Sequence, residues 1–202
     1  MGLDTSTTGI AWTSLFNGDV SGLGKIVLKE KEIEDKLATI YVEWKHLLLE
    51  TQPDHVFVEK SIFVKNPDTA RKLSFVVGTI AAITRGEGYE VTLVEPGTWK
   101  AFMGYHNLSN KFTLDARLKL GQKEGKKYCD KLRKSQTWRV IKHNYPYQVE
   151  AFDFIGDRDN DIADSWGIAL YGHDKLVKEL NLEKGKDVSL DLEDMERLGL
   201  VL

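Results

Sequence analysis

The chain has 202 residues, 42% of them hydrophobic, and a formal net charge of -3 at pH 7. This length can bury one sizeable core, so we expect one globular domain, with or without extensions. The single cysteine, Cys129, excludes an intrachain disulfide and a cysteine-cluster zinc site. No apolar run reaches membrane-spanning length and no signal peptide is evident, so we expect a cytoplasmic protein without a membrane partner.

Strand and helix patterns alternate in the first half of the chain. GIAWTSLF and VSGLGKIVLKE are β-rich runs separated by an Asn-Gly hairpin signal at residues 17–19, so they and the opening residues predict three antiparallel strands. Apolar residues at helical spacing predict a helix over residues 34–50. The strand DHVFVEK, a helix from Pro67 and the strand EVTLVEP follow.

This order of strands and helices implies parallel pairing through right-handed crossovers. The sequence therefore predicts an α/β fold with a mixed five-stranded sheet, antiparallel in its hairpin strands and then parallel, flanked by helices on both faces. A last helix should run from about Asp159 to Leu180. We expect one domain over residues 1–180, with an insertion at about 111–150, and an acidic C-terminal extension over residues 181–202.

The predicted insertion is strongly basic between residues 111 and 142. Its cations are Lys111, Arg117, Lys119, Lys123, Lys126, Lys127, Lys131, Arg133, Lys134, Arg139 and Lys142, against the acids Asp115, Glu124 and Asp130. Tyr128 and Trp138 are interleaved with them. Such a run is usually a solvated helical face. The alternative is contact with a phosphate backbone, for which the affinity would fall steeply with salt.

Four carboxylates stand where separate elements could bring them together. Asp4 ends the first strand and Glu59 ends the fourth, so parallel neighbouring strands would place both at one sheet edge. Asp161 and Asp164 are three apart in the last helix and would share one face. Carboxylate oxygens hold Mg²⁺, with Mn²⁺ as a substitute, and two ions about 4 Å apart support in-line phosphodiester hydrolysis.

Two of these carboxylates also have a purely structural interpretation. Asp4 could cap the threonine-rich turn that follows it, and Asp161 stands in a first helical turn, where the helix dipole favours an acid. Glu59 ends an apolar strand in which an acid has no packing role, and this favours function. Asp157 and Asp159 crowd the same helix start, so either could replace Asp161 as a ligand.

Four stretches of the chain resemble the RuvC family of Holliday junction resolvases, within the RNase H-like nucleases. They are GLDTSTTGIAW, VFVEKSIFVKNPDTARKL, VEPGTWKAFMG and DNDIADSWGIAL, and the resemblance covers most of residues 1 to about 172. The second stretch is the most specific, because its spacing from the acid to Asp68 and Lys72 looks like the family pattern without a gap. The long insertion and the tail resemble divergent phage or viral members.

The resemblance implies an RNase H-like fold and a set of site residues. The family's four metal ligands fall on Asp4, Glu59, Asp161 and Asp164. Two family lysines for DNA handling and catalysis fall on Lys100 and Lys111, either of which could instead be a solvated surface cation. Phe63 stands near the family's wedge aromatic, although core packing would explain it as well. Beyond the resemblance, the charge excess of the insertion predicts DNA contacts at Lys126, Lys127, Lys131, Arg133 and Lys134, and a further contact is expected at Lys65.

The sequence thus predicts a crossover junction endodeoxyribonuclease, a metal-dependent hydrolase that resolves Holliday junctions or other branched DNA by paired nicking in recombination and repair. Two symmetric nicks favour a homodimer. The expected location is a bacterial cytoplasm, or the host cytoplasm for a phage-encoded protein. Three alternatives stay open: an RNase H-like nuclease for flaps or RNA–DNA hybrids, an inactive DNA-binding relative, and an actin-like ATP-binding protein. The last needs a second equivalent half, for which 202 residues leave no room.

Overall fold

The structure, a computed structural model, describes residues 1–60, 66–105, 108–151 and 159–186. Its sheet contains strands β1 (Gly2–Thr5), β2 (Gly9–Phe16), β3 (Asp19–Val27), β4 (His55–Glu59) and β5 (Glu90–Val94). Their spatial order is β3-β2-β1-β4-β5. The hairpin strands β1, β2 and β3 pair antiparallel, whereas β1 with β4 and β4 with β5 pair parallel. The predicted mixed five-stranded sheet is therefore confirmed.

The hairpin between β2 and β3 turns where the sequence predicts it. Phe16 pairs with Asp19, which leaves Asn17 and Gly18 as a two-residue turn. Both residues have positive φ, 53° and 91°, as a type I′ turn requires. Asn and Gly tolerate this conformation, so the turn sets the register of the two strands.

Helices α1 (Ile33–Thr51) and α2 (Pro67–Gly86) cover one face of the sheet. The core on this side includes Leu3, Ile10, Ile40, Trp44, Leu48, Val56, Val58, Val76 and Ile80. The Trp44 indole, fully buried, also donates a hydrogen bond of 3.0 Å to the Thr84 hydroxyl of α2. Both helices lie where the sequence predicts them, because their apolar residues recur at helical spacing.

The opposite face carries α8 (Asn160–Lys186), together with α3 (Pro96–Phe102), α6 (Gln136–Asn144) and α7 (Pro146–Ala151). Helix α8 lies so close to β1 that a Cβ added at Gly2 would stand 2.4 Å from the Ser165 carbonyl oxygen. The Ser165 hydroxyl shares a buried hydrogen bond of 2.8 Å with Thr13 of β2. A glycine at position 2 therefore allows the start of α8 to pack directly on the central strand.

The insertion is helical, with α4 (Asn110–Leu120) and α5 (Gln122–Lys134) preceding α6 and α7. Helix α8 continues to Lys186, so the predicted end at about residue 180 was too early. Leu, Glu and Lys follow that point and favour continued helix. The rest of the predicted acidic extension, residues 187–202, lies outside the described residues. Among the residues that are described, no helix combines the length and apolar character needed to cross a membrane.

Candidate active site

Two carboxylates meet at the carboxyl edge of the sheet. β1 and β4 run parallel with Leu3 opposite Val58, so Asp4 and Glu59 are the next residue along each strand. Successive strand residues point to opposite faces. Because Leu3 and Val58 belong to the core beneath α1 and α2, Asp4 and Glu59 point toward the face that carries α8.

The first turns of α8 bring Asp161 and Asp164 to the same edge. Burial raises the pKa of Asp4 well above its usual value, and the negative charges of the other three carboxylates raise this pKa further. Coulombic effects of this kind require the charges to lie near one another. The structure thus brings together four acids from three separate elements.

Asp164 is held by the insertion. The Thr137 hydroxyl in α6 donates a hydrogen bond of 2.5 Å to Asp164 Oδ1 and shares another of 2.8 Å with the Tyr105 hydroxyl. Burial raises the pKa of Asp164 to about 6, although the Thr137 hydrogen bond and the Lys100 ammonium both act to lower it. A carboxylate whose pKa is raised by burial among other acids is a candidate functional group.

Glu59 is oriented by α3. The fully buried Trp99 indole donates a hydrogen bond of 2.7 Å to Glu59 Oε2. Lys100 Nζ lies 3.9 Å from the same oxygen and 4.9 Å from the centre of the Trp99 ring. Lys100 therefore faces the carboxylates, which is where sequence reasoning expected a lysine. Sequence reasoning missed Trp99. Its position between the end of β5 and Lys100 is the signal that could have identified it.

Asp161 faces a lysine of the first hairpin. Lys25 Nζ in β3 lies 2.5 Å from Asp161 Oδ2 and 3.4 Å from Asp159 Oδ1. Asp159 also accepts a hydrogen bond of 3.3 Å from the Ile162 amide, so it caps the start of α8. Asp157, the other alternative ligand, lies outside the described residues. Sequence reasoning missed Lys25, since no local pattern in β3 links it to a helix more than a hundred residues later.

The donor chemistry of the cluster fits a hard divalent cation. Carboxylate oxygens are the ligands that Mg²⁺ and Mn²⁺ prefer. Burial first, and then repulsion by the other acids, raise the pKa of Asp4, and a cation would relieve the repulsion. Within the part of the chain that the structure describes, no three His, Cys, Asp or Glu side chains are arranged as a metal site. Three of the four acids contact protein donors instead. Full coordination would require Asp161 to leave the Lys25 ammonium.

The remaining predicted site residues lie in the insertion or outside the residues that the structure describes. Lys111 is exposed in the first turn of α4, and no ion pair between described residues joins it to the four acids. The side chains of Lys126, Lys127, Lys131 and Arg133 are exposed on α5. Lys134 ends that helix, but its side chain is not described. Phe63 and Lys65 also lie outside the described residues.

Solved structures share this fold. A structure of T. thermophilus RuvC in complex with a Holliday junction substrate matches with a TM-score of 0.60 and 13% sequence identity, over 84% of this chain and 88% of that one. A second Thermus thermophilus RuvC structure matches with a TM-score of 0.54 and 14% identity, over 84% and 89% of the two chains. No family model and no curated protein matches the sequence. The chain therefore has the RuvC-like, RNase H-like fold that its motifs predicted.

Proposed function

We propose that this chain is a metal-dependent endonuclease that cuts four-way or otherwise branched DNA. The observation that carries the proposal is the cluster of acids from β1, β4 and α8 beside the Lys100 ammonium, at one edge of a RuvC-like sheet. A structural neighbour is a RuvC in complex with a Holliday junction substrate, which supports branched DNA as the substrate class.

The proposed ligands of two Mg²⁺ ions are Asp4, Glu59, Asp161 and Asp164. When bound, the ions would supply an activated water and charge stabilisation for in-line displacement at phosphorus, and Mn²⁺ should substitute. Trp99 and Thr137 would keep two of these ligands oriented, as hydrogen-bond donors behind metal ligands commonly do. Lys25 would keep a third acid neutralised until a cation replaces its ammonium.

The lysines would act at two distances from the cut. Lys100 would offset the charge that grows on the phosphate in the transition state. Lys111 and the exposed cations of α5 would hold the phosphate backbone of the substrate and position it. Displacement of the 3′ oxygen would leave a 5′-phosphate on the product, in line with the family resemblance.

We propose a two-fold homodimer as the active form, because resolution of a four-way junction needs two symmetric nicks. Helix α1 supports this proposal, since it leaves Tyr41, Val42 and Leu49 exposed by 54%, 62% and 53%. Apolar side chains grouped on one helix are typical of protein interfaces. Helix α2 is the alternative surface and exposes Phe75 by 47%.

The test is cleavage of a labelled four-way junction beside linear duplex, flap and RNA–DNA hybrid controls, in Mg²⁺ or EDTA. The protein should nick the junction in pairs, and only with metal. Loss of a group that supports a metal ligand typically costs about 10–100-fold in activity. Glu59→Gln changes a proposed ligand itself and should lower the cleavage rate by more than that. Glu32→Gln, a change in an exposed glutamate before α1, should match the wild type.

The controls separate the alternatives. Preferential cutting of the hybrid would replace the proposed substrate and keep the metal assignment. Tight junction binding without cleavage in Mg²⁺ would identify an inactive DNA-binding relative.

A further inference from the structure

Helices α5 and α6 form a groove that the carboxylate cluster does not use. Its volume is about 770 Å³, and its walls include Tyr128, Lys131, Trp138, Arg139, Lys142 and His143. On α5, Tyr128 lies three residues before Lys131, and on α6, Trp138 and Arg139 lie four residues before Lys142 and His143, so each set shares one side of its helix. The two helices meet at Ser135, so the two faces close on the same space.

The groove is cationic. Lys131, Arg139 and Lys142 are exposed, and among the described residues no carboxylate lines the groove or pairs with any of these three. Arg133, on the same helix as Lys131, instead forms an ion pair of 2.7 Å with Asp130. Several cations around a concave surface without a compensating acid attract anions such as phosphates.

The groove also presents a supported aromatic ring. Tyr128 is 45% exposed, and its ring stacks on Phe112 of α4 with centroids 6.5 Å apart and planes inclined by 30°. The contact with Phe112 restricts the tyrosine before any ligand arrives. Trp138 forms part of the wall and is largely buried against the core. Aromatic rings beside cations are the surfaces on which unstacked nucleobases bind.

We propose that this groove binds an unpaired nucleotide of single-stranded DNA, with its base stacked on Tyr128 and its phosphates on Lys131, Arg139 and Lys142. The groove volume lies within the range of about 300–1,000 Å³ that is usual for small-ligand sites. Paired bases keep their faces inside the duplex stack, so duplex DNA cannot use the tyrosine in this way. The inference rests on the proposed action on DNA and adds to it a higher affinity for branches that expose unpaired nucleotides.

The test compares oligo(dT) with a duplex of equal length, both fluorescein-labelled, by anisotropy in EDTA over a range of salt. Tyr128→Leu should weaken oligo(dT) binding by about fivefold or more, since stacking contributes per base, and leave duplex binding unchanged. Tyr128→Phe should retain the affinity because it keeps the ring. Arg139→Gln should instead make the fall of log affinity with log salt less steep, by about 0.7.

Two matched controls lie outside the groove. Tyr147→Leu removes a tyrosine of α7 that is 85% exposed, and Lys31→Gln removes an exposed cation before α1. Both variants should bind oligo(dT) like the wild type. Circular dichroism of each variant would confirm that the fold is retained.

The outcomes separate this inference from the proposed function. Unchanged oligo(dT) binding by Tyr128→Leu would overturn the groove assignment, and equal weakening of oligo(dT) and duplex binding would also overturn it in favour of a plain backbone contact. Junction cleavage would stand in either case. Oligo(dT) binding through Tyr128 by a protein that cuts no junction would support the groove and contradict the proposed nuclease.

Discussion

The acid edge of the sheet and the basic helices of the insertion carry opposite charge and are built in opposite ways. Asp4, Glu59 and Asp164 come from separate elements and are partly withdrawn from water. The cations of α5 follow one another along one helix and stand in solvent. Charges of the same sign that are partly buried repel one another and need a counter-ion, whereas exposed charges are screened by salt. The acid edge should therefore govern chemistry and stability, and the helices should govern affinity and its salt dependence.

The largest expected difference lies between two lysines. Lys100→Gln removes an ammonium 3.9 Å from Glu59, so it should lower the single-turnover cleavage rate by about 10²-fold or more. Lys111→Gln removes an exposed cation of α4. It should leave the rate nearly unchanged and reduce the salt slope of duplex binding by about 0.9. Equal losses of rate in both variants would remove the distinction between the two regions.

Without metal, the acid edge should destabilise the folded chain as pH rises. Burial raises the pKa of Asp164 to about 6, whereas an unfolded aspartate has a pKa of about 3.9. The folded state therefore holds more protons between these values. Through this group the free energy of unfolding should fall by about 2–3 kcal/mol over that interval. Urea unfolding in EDTA at several pH values measures the fall.

The variant Asp164→Asn should flatten that pH profile, because the amide does not titrate. Saturating Mg²⁺ should offset the loss above a pH of about 6, since only the ionised acids bind the cation. A profile equally steep in Asp164→Asn and the wild type would contradict the assignment of the shifted pKa.

The smallest effect is expected at Lys25, where a cation from the hairpin meets the acid edge. Lys25→Met should tighten Mn²⁺ binding by about twofold to fivefold, because Mn²⁺ then no longer has to displace the Lys25 ammonium from Asp161 in a half-exposed ion pair. Isothermal titration calorimetry measures this change. Lys29→Met, a change in an exposed lysine just after β3, is the matched control. Weaker Mn²⁺ binding in Lys25→Met would mean that the lysine organises Asp161 for the metal.

The sheet and two acids at its edge could be predicted from the sequence, because neighbouring parallel strands leave little freedom in where their carboxyl ends lie. The contacts that orient the acids could not. Lys25 and Asp161 are 136 positions apart, and Trp99 and Glu59 are 40 apart. No local pattern encodes such pairs.

The basic insertion was predictable as a charged surface but not as a groove. An excess of Lys and Arg can be counted directly in the sequence, whatever the length of the segment. The concave shape arises from the angle at which α5 and α6 meet at Ser135, and helical spacing says nothing about that angle. The metal ligands, for their part, stay predictions until a cation is bound.

Thr137 connects the two regions. It precedes the groove residue Trp138 in α6, and its hydroxyl donates to Asp164. DNA that displaces α6 would change how firmly this acid is held, and with it the affinity for metal. Such coupling is reciprocal, so the factor by which DNA tightens metal binding is the factor by which metal tightens DNA binding. If DNA tightens metal binding, the protein would bind DNA alone or metal alone weakly, and it would cut chiefly when both have bound.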